Sequence, residues 1–523
     1  MIETQVPGTA AVVVIGGGPA GMAAAAAATQ HTDRVVLIDA SPRLGGQYWR
    51  HGAKDEAPGS PAPRWHHGWS TFRSLHQQIQ DAGTSGALTV FAETHVWALD
   101  TMVDGRLAVR IAPIPEAGPD PQRIDAVIAE NVVLCPGAYD RQLPLPGWTL
   151  PGVMAAGGVQ AYIKVQEQSP GRRVVLAGTG PFLLAAAVSV IQAGAEVAAI
   201  CESSDLTGWV PRGVTAALVP SKGAEGAQYA ALLARHRVPY LTRHAVTAIH
   251  GTDRVSAVEV TKVDRSGRPV PGSTRHLDEV DAVGLGWGFV PQAELLVQTG
   301  ADTRLDVDGS LVGVVDAQQR STVPGLFLAG EITGVTGAAG AVAEGTIAGR
   351  AAAGRTAARA GGGSLRRDLR PSLARGRHRT FARAMHRAHL VPEHWLDWSS
   401  PETVVCRCEE VTLGEIVTAR DDLELDDARS LKGSTRAGMG FCQGRICGFA
   451  ATCIAAAGAP AAHSACSSEP SPQRREAEAR TVSRRPFALP LTLGALADDD
   501  SAGKGPTERD VVAEPLPRAD ERT

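Results

Sequence analysis

Residues 11–39, AVVVIGGGPAGMAAAAAATQHTDRVVLID, decide the fold. The run 11–15 is apolar and β-branched, as a parallel strand must be when helices cover both faces of its sheet. Gly16, Gly18 and Gly21 then give G-x-G-x-x-G at the head of an alanine-rich helix, and 35–38 (VVLI) is the next strand. In such a unit the first glycine permits the tight turn. The second lets the backbone approach a pyrophosphate, and the third lets helix and strand pack closely. The helix N-terminus turns its free N–H groups toward the phosphates. Pro19 and Ala20 lie between the last two glycines, and Asp39 ends the second strand, eighteen residues past Gly21. A carboxylate there accepts hydrogen bonds from a ribose 2′-hydroxyl. Gly16, Gly18, Pro19, Ala20, Gly21 and Asp39 are therefore expected to bind a dinucleotide, against the plainer reading of a glycine turn beside a solvated aspartate.

The apolar stretch 10–28 is not read as a signal or membrane segment. No basic residue precedes it, and Gly16, Gly17, Gly18 and Pro19 interrupt it. A cytoplasmic protein with no membrane span is expected. At 523 residues the chain is too long for one core. Its 44% hydrophobic and 20% charged residues suit a soluble globular protein, and a net charge of −4 gives no reason to expect nucleic acid.

The pattern recurs downstream. The run 174–177 (VVLA) leads into Gly178-x-Gly180-x-x-Leu183, a helix from about Phe182, the run 197–200 (VAAI), and Glu202. Two βαβ units predict an α/β chain with two dinucleotide-binding, Rossmann-like domains. A glutamate at 202 favours a 2′-hydroxyl, hence NADH over NADPH. Leu183, however, puts bulk where the third glycine belongs. Gly178, Gly180 and Glu202 thus read three ways: an NAD(H) site, an adenine-nucleotide site without hydride chemistry, or a domain that has lost its cofactor.

The divisions expected are 8–150 and 285–360 for the two parts of the first domain and 151–284 for the second. A basic helical linker follows at 361–400, opened by Gly361–Gly363, with a solvated or partner-facing basic side. A cysteine unit occupies 401–458, and 459–523 forms a mostly disordered tail in which 486–496 (PFALPLTLGAL) docks as an extended segment. Histidines gather at 51–76 and 378–389, and most are read as surface residues.

Four of the eight cysteines form two close pairs: Cys406-x-Cys408, then thirty-three residues, then Cys442-x₄-Cys447. Clustering of this kind suits a metal centre better than a disulfide framework. Four thiolates serve a [2Fe-2S] cluster, with glycines at 438, 440, 444 and 448 freeing backbone N–H groups to face sulfur. Zinc also accepts four cysteines, although C-x-C is tight for it, and free thiols are a third reading. Cys453 is placed in the core of the following helix, and Cys466 is a free thiol in the tail. No cysteine pair lies near 45–52 or in the second βαβ unit, so dithiol chemistry is not expected.

Two resemblances extend this reading. Arg43-Leu44-Gly45-Gly46-Gln47 and Gly325-Leu326-Phe327-Leu328-Ala329-Gly330-Glu331 resemble the two-dinucleotide-domain flavoproteins. That likeness implies FAD in the first site, with Gly46 and Gln47 on the flavin side. Gly330 and Glu331 then stand where the family has Gly-Asp against the ribityl and phosphate groups. The usual Ala-Thr-Gly strand end reads Cys135-Pro136-Gly137 here. The segments 404–410 (VVCRCEE) and 435–448 (TRAGMGFCQGRICG) are similar to the bacterioferritin-associated-ferredoxin domain. Together with 45–50, 139–153 and 486–496, the chain resembles the larger subunit of opine oxidases, of hydroxyproline and proline dehydrogenases, and of hydrogen cyanide synthase. The resemblance implies FAD and a [2Fe-2S] cluster on Cys406, Cys408, Cys442 and Cys447. It also implies a smaller partner flavoprotein resembling D-amino-acid oxidase, which oxidises the amino or imino acid. The alternative functions are a non-enzymatic assembly subunit with a structural nucleotide site and a self-sufficient NADH-dependent reductase.

Overall fold

A computed structural model of the chain describes residues 8–56, 66–114, 125–359, 369–425, 427–456, 472–492 and 496. Gly361–Gly363, Cys466 and most of the stretch beyond 459 lie outside these residues.

The strand read at 11–15 runs Thr9–Ile15 and sits inside a seven-stranded sheet. Leu88–Phe91, Val35–Ile38, Thr9–Ile15, the end of Asp125–Leu134, and Leu326–Leu328 lie side by side and parallel. Thr94–Thr101 and Leu107–Pro113 add an antiparallel ribbon along the start of Asp125–Leu134. The helix Pro19–Ala28 is buried almost all round, which its run of alanines permits. The long helix Ala338–Arg359 lies against it through small residues. A Cβ on Gly345 or Gly349 would stand 2.0 and 2.1 Å from the carbonyl oxygens of Ala20 and Ala24. The distal strand and this helix thus return the chain to the first domain.

The second sheet is parallel throughout, in the order Tyr240–Thr242, Glu196–Glu202, Arg173–Gly178, Ala282–Gly286, Val153–Ala155. Leu183 fits its helix, Phe182–Gln192, without pushing it off the sheet, because the space is supplied from the neighbouring strand. A Cβ on Gly286 would already be 3.0 Å from Leu183 Cδ2. The two crossings between domains, Ala138–Asp140 and Phe289–Pro291, pair antiparallel. A separate antiparallel sheet of His244–Gly251, Val255–Lys262 and Arg275–Asp278 packs beside the second domain.

The basic segment is a helix, Leu369–Ala388, but its arginines are not simply solvated. Arg375 donates to Gln319 Oε1 at 2.9 Å, Arg377 to Leu218 O at 2.8 Å, and Arg379 to Glu344 Oε1 at 2.7 Å. Gln319 and Glu344 belong to the first domain's return and Leu218 to the second, so the helix straps the two together. Within the stretch read as tail, Pro472–Ser483 is helical and Glu478 accepts from Ala428 N–H at 2.8 Å. The docking segment places Ala488 N–H on Trp97 O at 2.7 Å, and the Phe487 ring lies 5.5 Å from that of Trp97. Among the described residues, no helix is long and apolar enough to cross a membrane.

Candidate functional site: an interdomain cavity backed by a four-cysteine unit

The C-terminal ends of the parallel strands open onto a cavity of about 980 Å³ between the two domains. Ligands of doubly wound sheets bind at this edge. Gly16, Gly18, Pro19, Ala20, Asp39, Gly46, Gln47, Gly330 and Glu331 all line it. Gly16 has φ +97°, and a Cβ there would lie 2.1 Å from Cys135 O. Gly21 stands behind the wall, where a Cβ would meet Gly16 O at 1.7 Å. Gly18 differs from both, because its missing side chain leaves open space, with Gly46 Cα at 3.9 Å as the nearest atom. The segment after Asp39 folds back over the turn through Gly45 N–H to Gly17 O at 2.8 Å. The result is a bare, N–H-rich cradle at a helix N-terminus, which fits a pyrophosphate.

Asp39 is buried. It accepts from Gly17 N–H and, at 2.6 Å, from Ser41 N–H. Burial raises its carboxyl above the usual range, and these bonds pull the other way. At the far wall, a Cβ on Gly330 would be 3.0 Å from Ala20 Cβ, so the late strand closes directly on the first helix. Glu331 follows. Its Oε2 has no hydrogen-bond partner, and it is pushed up to about 8 by burial, then by the charges of Glu344 and Asp308. Its exposure is to the cavity rather than to bulk water. Glu344 is fully buried but well held, by Gly330 N–H, the Thr333 hydroxyl and Arg379. Glu331 is therefore the carboxyl of the group that keeps its proton at neutral pH and can donate it in a hydrogen bond.

Two further cavity residues, Asp140 and Lys164, were not singled out by the sequence. Burial pushes Asp140 up to about 6, although it accepts from Gly157 N–H at 3.0 Å. Lys164 is buried, donates to Tyr48 O at 2.7 Å, and is lowered to about 8 by burial and then by Arg50. Cys135 is the one cysteine on this wall among the described residues, and burial pushes its thiol far up. A lone buried thiol cannot run dithiol exchange.

The second glycine motif is placed differently. Gly178 and Gly180 have φ of +149° and +97°, and Gly180 reaches the cavity. Glu202 does not face it. It is fully buried, holding Gly180 N–H at 2.8 Å and Ser204 N–H at 2.9 Å. His389, just past the basic helix, covers it at 3.5 Å. His389 also bonds Ser204 Oγ at 2.7 Å and accepts from Trp209 Nε1 at 2.9 Å. An indole N–H only donates, so His389 Nε2 is the acceptor in that contact. Burial raises the Glu202 carboxyl, but the His389 contact and the Ser204 bonds outweigh it and lower the pKa overall. In this structure Glu202 is thus held away from the cavity, in contact with a residue distant in sequence.

The histidine reading also changes. His51 is buried, and His66 is driven down to about 4 by burial with Lys164 adding to it.

The cysteine unit brings Cys406, Cys408, Cys442 and Cys447 together. All four are free thiols, with Cys447 facing Cys406 and Cys442, and Cys442 facing Cys408. Backbone N–H groups of Gly438 and Glu409 face Cys406, and those of Ile446 and Gly444 face Cys442. Gly440 is required, since its Cβ would fall 2.2 Å from Cys408 Cβ. Four thiolates around one zinc stand ~3.8 Å apart. Among the described residues, no three of these sulfurs lie mutually within 4.8 Å. The open chain of contacts fits a two-iron centre better than one tetrahedral ion. Cys453 lies on the next helix, Gly448–Ala456, packed against the core.

This unit is fastened to the cavity wall. Trp148 Nε1 donates to Val404 O at 2.6 Å. The Arg445 guanidinium lies 5.7 Å from the Tyr139 ring, and that of Arg141 lies 4.5 Å from the Phe449 ring. Tyr139 and Arg141 face the cavity on the other side.

Comparison with known proteins agrees with this architecture. Residues 10–346 match the pyridine nucleotide-disulphide oxidoreductase family, and residues 404–456 match the BFD-like [2Fe-2S] binding domain. The opine oxidase A chain of Agrobacterium tumefaciens (strain Ach5) is 31% identical over 80% of this chain and 80% of its own. Hydrogen cyanide synthase subunit HcnB of Pseudomonas protegens is 29% identical over 80% of this chain and 86% of its own. The crystal structure of L-proline dehydrogenase from P. horikoshii shares the fold, with a TM-score of 0.61 at 20% identity over 93% of this chain and 79% of that one. The protein is an FAD oxidoreductase with a [2Fe-2S] domain, and it belongs to the pyridine nucleotide-disulphide oxidoreductase family, in the group that includes the opine oxidase A subunits and HcnB.

Proposed function

We propose that this chain relays electrons in the dehydrogenation of an amino acid, imino acid or opine-type C–N bond, and that a smaller partner flavoprotein oxidises the substrate. FAD would be held by Gly16, Gly18, Pro19, Ala20, Gly21, Asp39, Gly46, Gln47, Gly330 and Glu331, and a [2Fe-2S] cluster by Cys406, Cys408, Cys442 and Cys447. A flavin supplies the exchange between electron pairs and single electrons that such a relay needs.

The observation that carries this reading is the fastening of the thiol unit to the back of the cavity. Tyr139 against Arg445, and Arg141 against Phe449, bridge the two. Arg141 is itself fixed by Ser310 Oγ at 2.7 Å and Asp308 O at 3.0 Å, so the partition is rigid. The lone Cys135 argues against a dithiol acceptor on the cavity wall. The names of the relatives in the group, which are subunits, favour a heteromeric enzyme.

The test is an anaerobic visible spectrum with iron and acid-labile sulfide analysis, on the chain alone and then with a co-expressed partner. Flavin bands with about two irons and two sulfides per chain, bleached by substrate only in the partnered sample, are expected. Substrate bleaching of the isolated chain would move the chemistry here, and zinc without sulfide would end the relay reading.

A further inference from the structure

We propose that the antiparallel sheet beside the second domain carries a surface zinc site formed by His250, Glu259 and His276. Strand pairing brings these residues together. Glu259 on the central strand lies directly opposite His276 on the edge strand. Its partner on the other side is Ala248, which puts His250 two positions on, on the same face. Successive side chains alternate across a strand. Ile249, Val258 and Val260 on the opposite face are accordingly buried in the core, with Leu277 packed against it. The three polar groups therefore stand on a platform whose underside is fixed.

The distances suit a metal. Glu259 Oε1 lies 3.0 Å from His250 Nε2 and 4.0 Å from His276 Nε2, and all three ligand atoms fall within 4.8 Å of one another. Two ligands of a tetrahedral zinc with Zn–N and Zn–O near 2.0–2.1 Å are ~3.3 Å apart. The observed separations bracket that value, so small side-chain rotations close the triangle. Among the described residues this is the one group with three histidine, cysteine or carboxylate ligand atoms so close together. An ion pair needs only His250 and Glu259, and it leaves the second imidazole turned toward the same carboxylate oxygen without a hydrogen bond to it. Two imidazoles and a carboxylate are a zinc donor set that leaves a fourth position for water. The metal would tie the short edge strand, Arg275–Asp278, to the centre of the sheet.

The experiment uses the full chain with flavin and iron–sulfur centre intact, freed of loose metal by a mild chelator and then titrated with zinc alone against a chromophoric chelator. One equivalent per chain is expected in the wild type, with a higher thermal midpoint when zinc is present. His276→Ala and Glu259→Gln should each weaken that equivalent by at least ~10-fold, with flavin and iron content unchanged. His244→Ala, on the same strand but outside the triangle, should bind as the wild type does. Absence of a zinc equivalent in the wild type, or equal binding by all four proteins, would overturn the proposal.

Discussion

Arg445 joins the two halves of the machinery: its Nε lies 3.0 Å from Glu294 Oε1, while its guanidinium stacks toward Tyr139 on the cavity wall. The same side chain holds Ala488 O of the docked C-terminal segment. Both ends of the ion pair are buried, at 11% and 9% side-chain exposure. The contact is close without being a well-aligned hydrogen bond from Nε. Arg445→Met would leave Glu294 buried with Arg485 as its remaining cationic neighbour, a change that costs up to ~3–5 kcal/mol. We expect a lower unfolding midpoint and looser docking of 486–492. Stopped-flow reduction should show flavin bleaching at its normal rate and slower reduction of the cluster. Unchanged cluster kinetics would remove Arg445 from the partition.

Gly18 and Gly21 separate cofactor binding from folding. Gly18 has φ −75°, which alanine adopts freely, and its absent side chain faces the cavity. Gly18→Ala should fold with stability within ~1 kcal/mol of wild type. Its methyl would intrude on the pyrophosphate, weakening FAD by ~1–3 kcal/mol, or ~5- to 150-fold in Kd. Gly21→Ala drives its methyl into Gly16 O at 1.7 Å and should cost ~3 kcal/mol or more of stability outright. Flavin fluorescence titration and thermal melts on the two variants distinguish these outcomes.

The parts legible in the sequence are those set by short-range patterns. Strand, glycine turn, helix and Asp39 lie within thirty residues, and each has a local steric reason. The cysteine spacings announce a metal centre in the same way, while leaving iron–sulfur, zinc and free thiols open until the family likeness is added. What escaped was set by contacts between distant segments. Nothing near Glu202 announces that His389 will cover it, since the two are brought together by a helix whose arginines find acceptors at Gln319, Leu218 and Glu344. Leu183 looked obstructive until Gly286, on a strand a hundred residues later, supplied its space. Tyr139 and Arg141 fell inside a stretch that carried a family likeness, but their role depends on Arg445 and Phe449, which only the fold brings near. Asp140 and Lys164 are ordinary surface types in sequence, and burial alone makes them unusual.

The covered carboxylate has a kinetic consequence. A ribose 2′-hydroxyl at the second site would have to displace His389, which is held from both sides by Ser204 and Trp209. Anaerobic NADH added to the holoprotein should therefore leave the flavin oxidised over minutes. His389→Ala with Trp209→Ala uncovers Glu202 and should leave the flavin spectrum intact, since neither residue touches the first glycine turn. Rapid bleaching of the wild type by NADH would restore the self-sufficient reductase reading.

Glu331 predicts how the cofactor-free protein responds to pH. Its pKa rises from an ordinary 4.5 to about 8 on folding, because burial disfavours the charge and Glu344 and Asp308 repel it. Between those values the folded chain binds a proton that the unfolded chain has released. Stability therefore falls as pH rises through this window, the reverse of a salt-bridged carboxylate. Glu331→Gln keeps the shape and hydrogen-bonding capacity without the charge. The variant should unfold at the same denaturant concentration as wild type near pH 4.5 and at a higher one near pH 8. Denaturant melts of the apoprotein across that range measure the difference directly. Parallel curves for the two proteins would mean that Glu331 is charged in the fold, and its unpartnered Oε2 would then need a cation at the cavity wall.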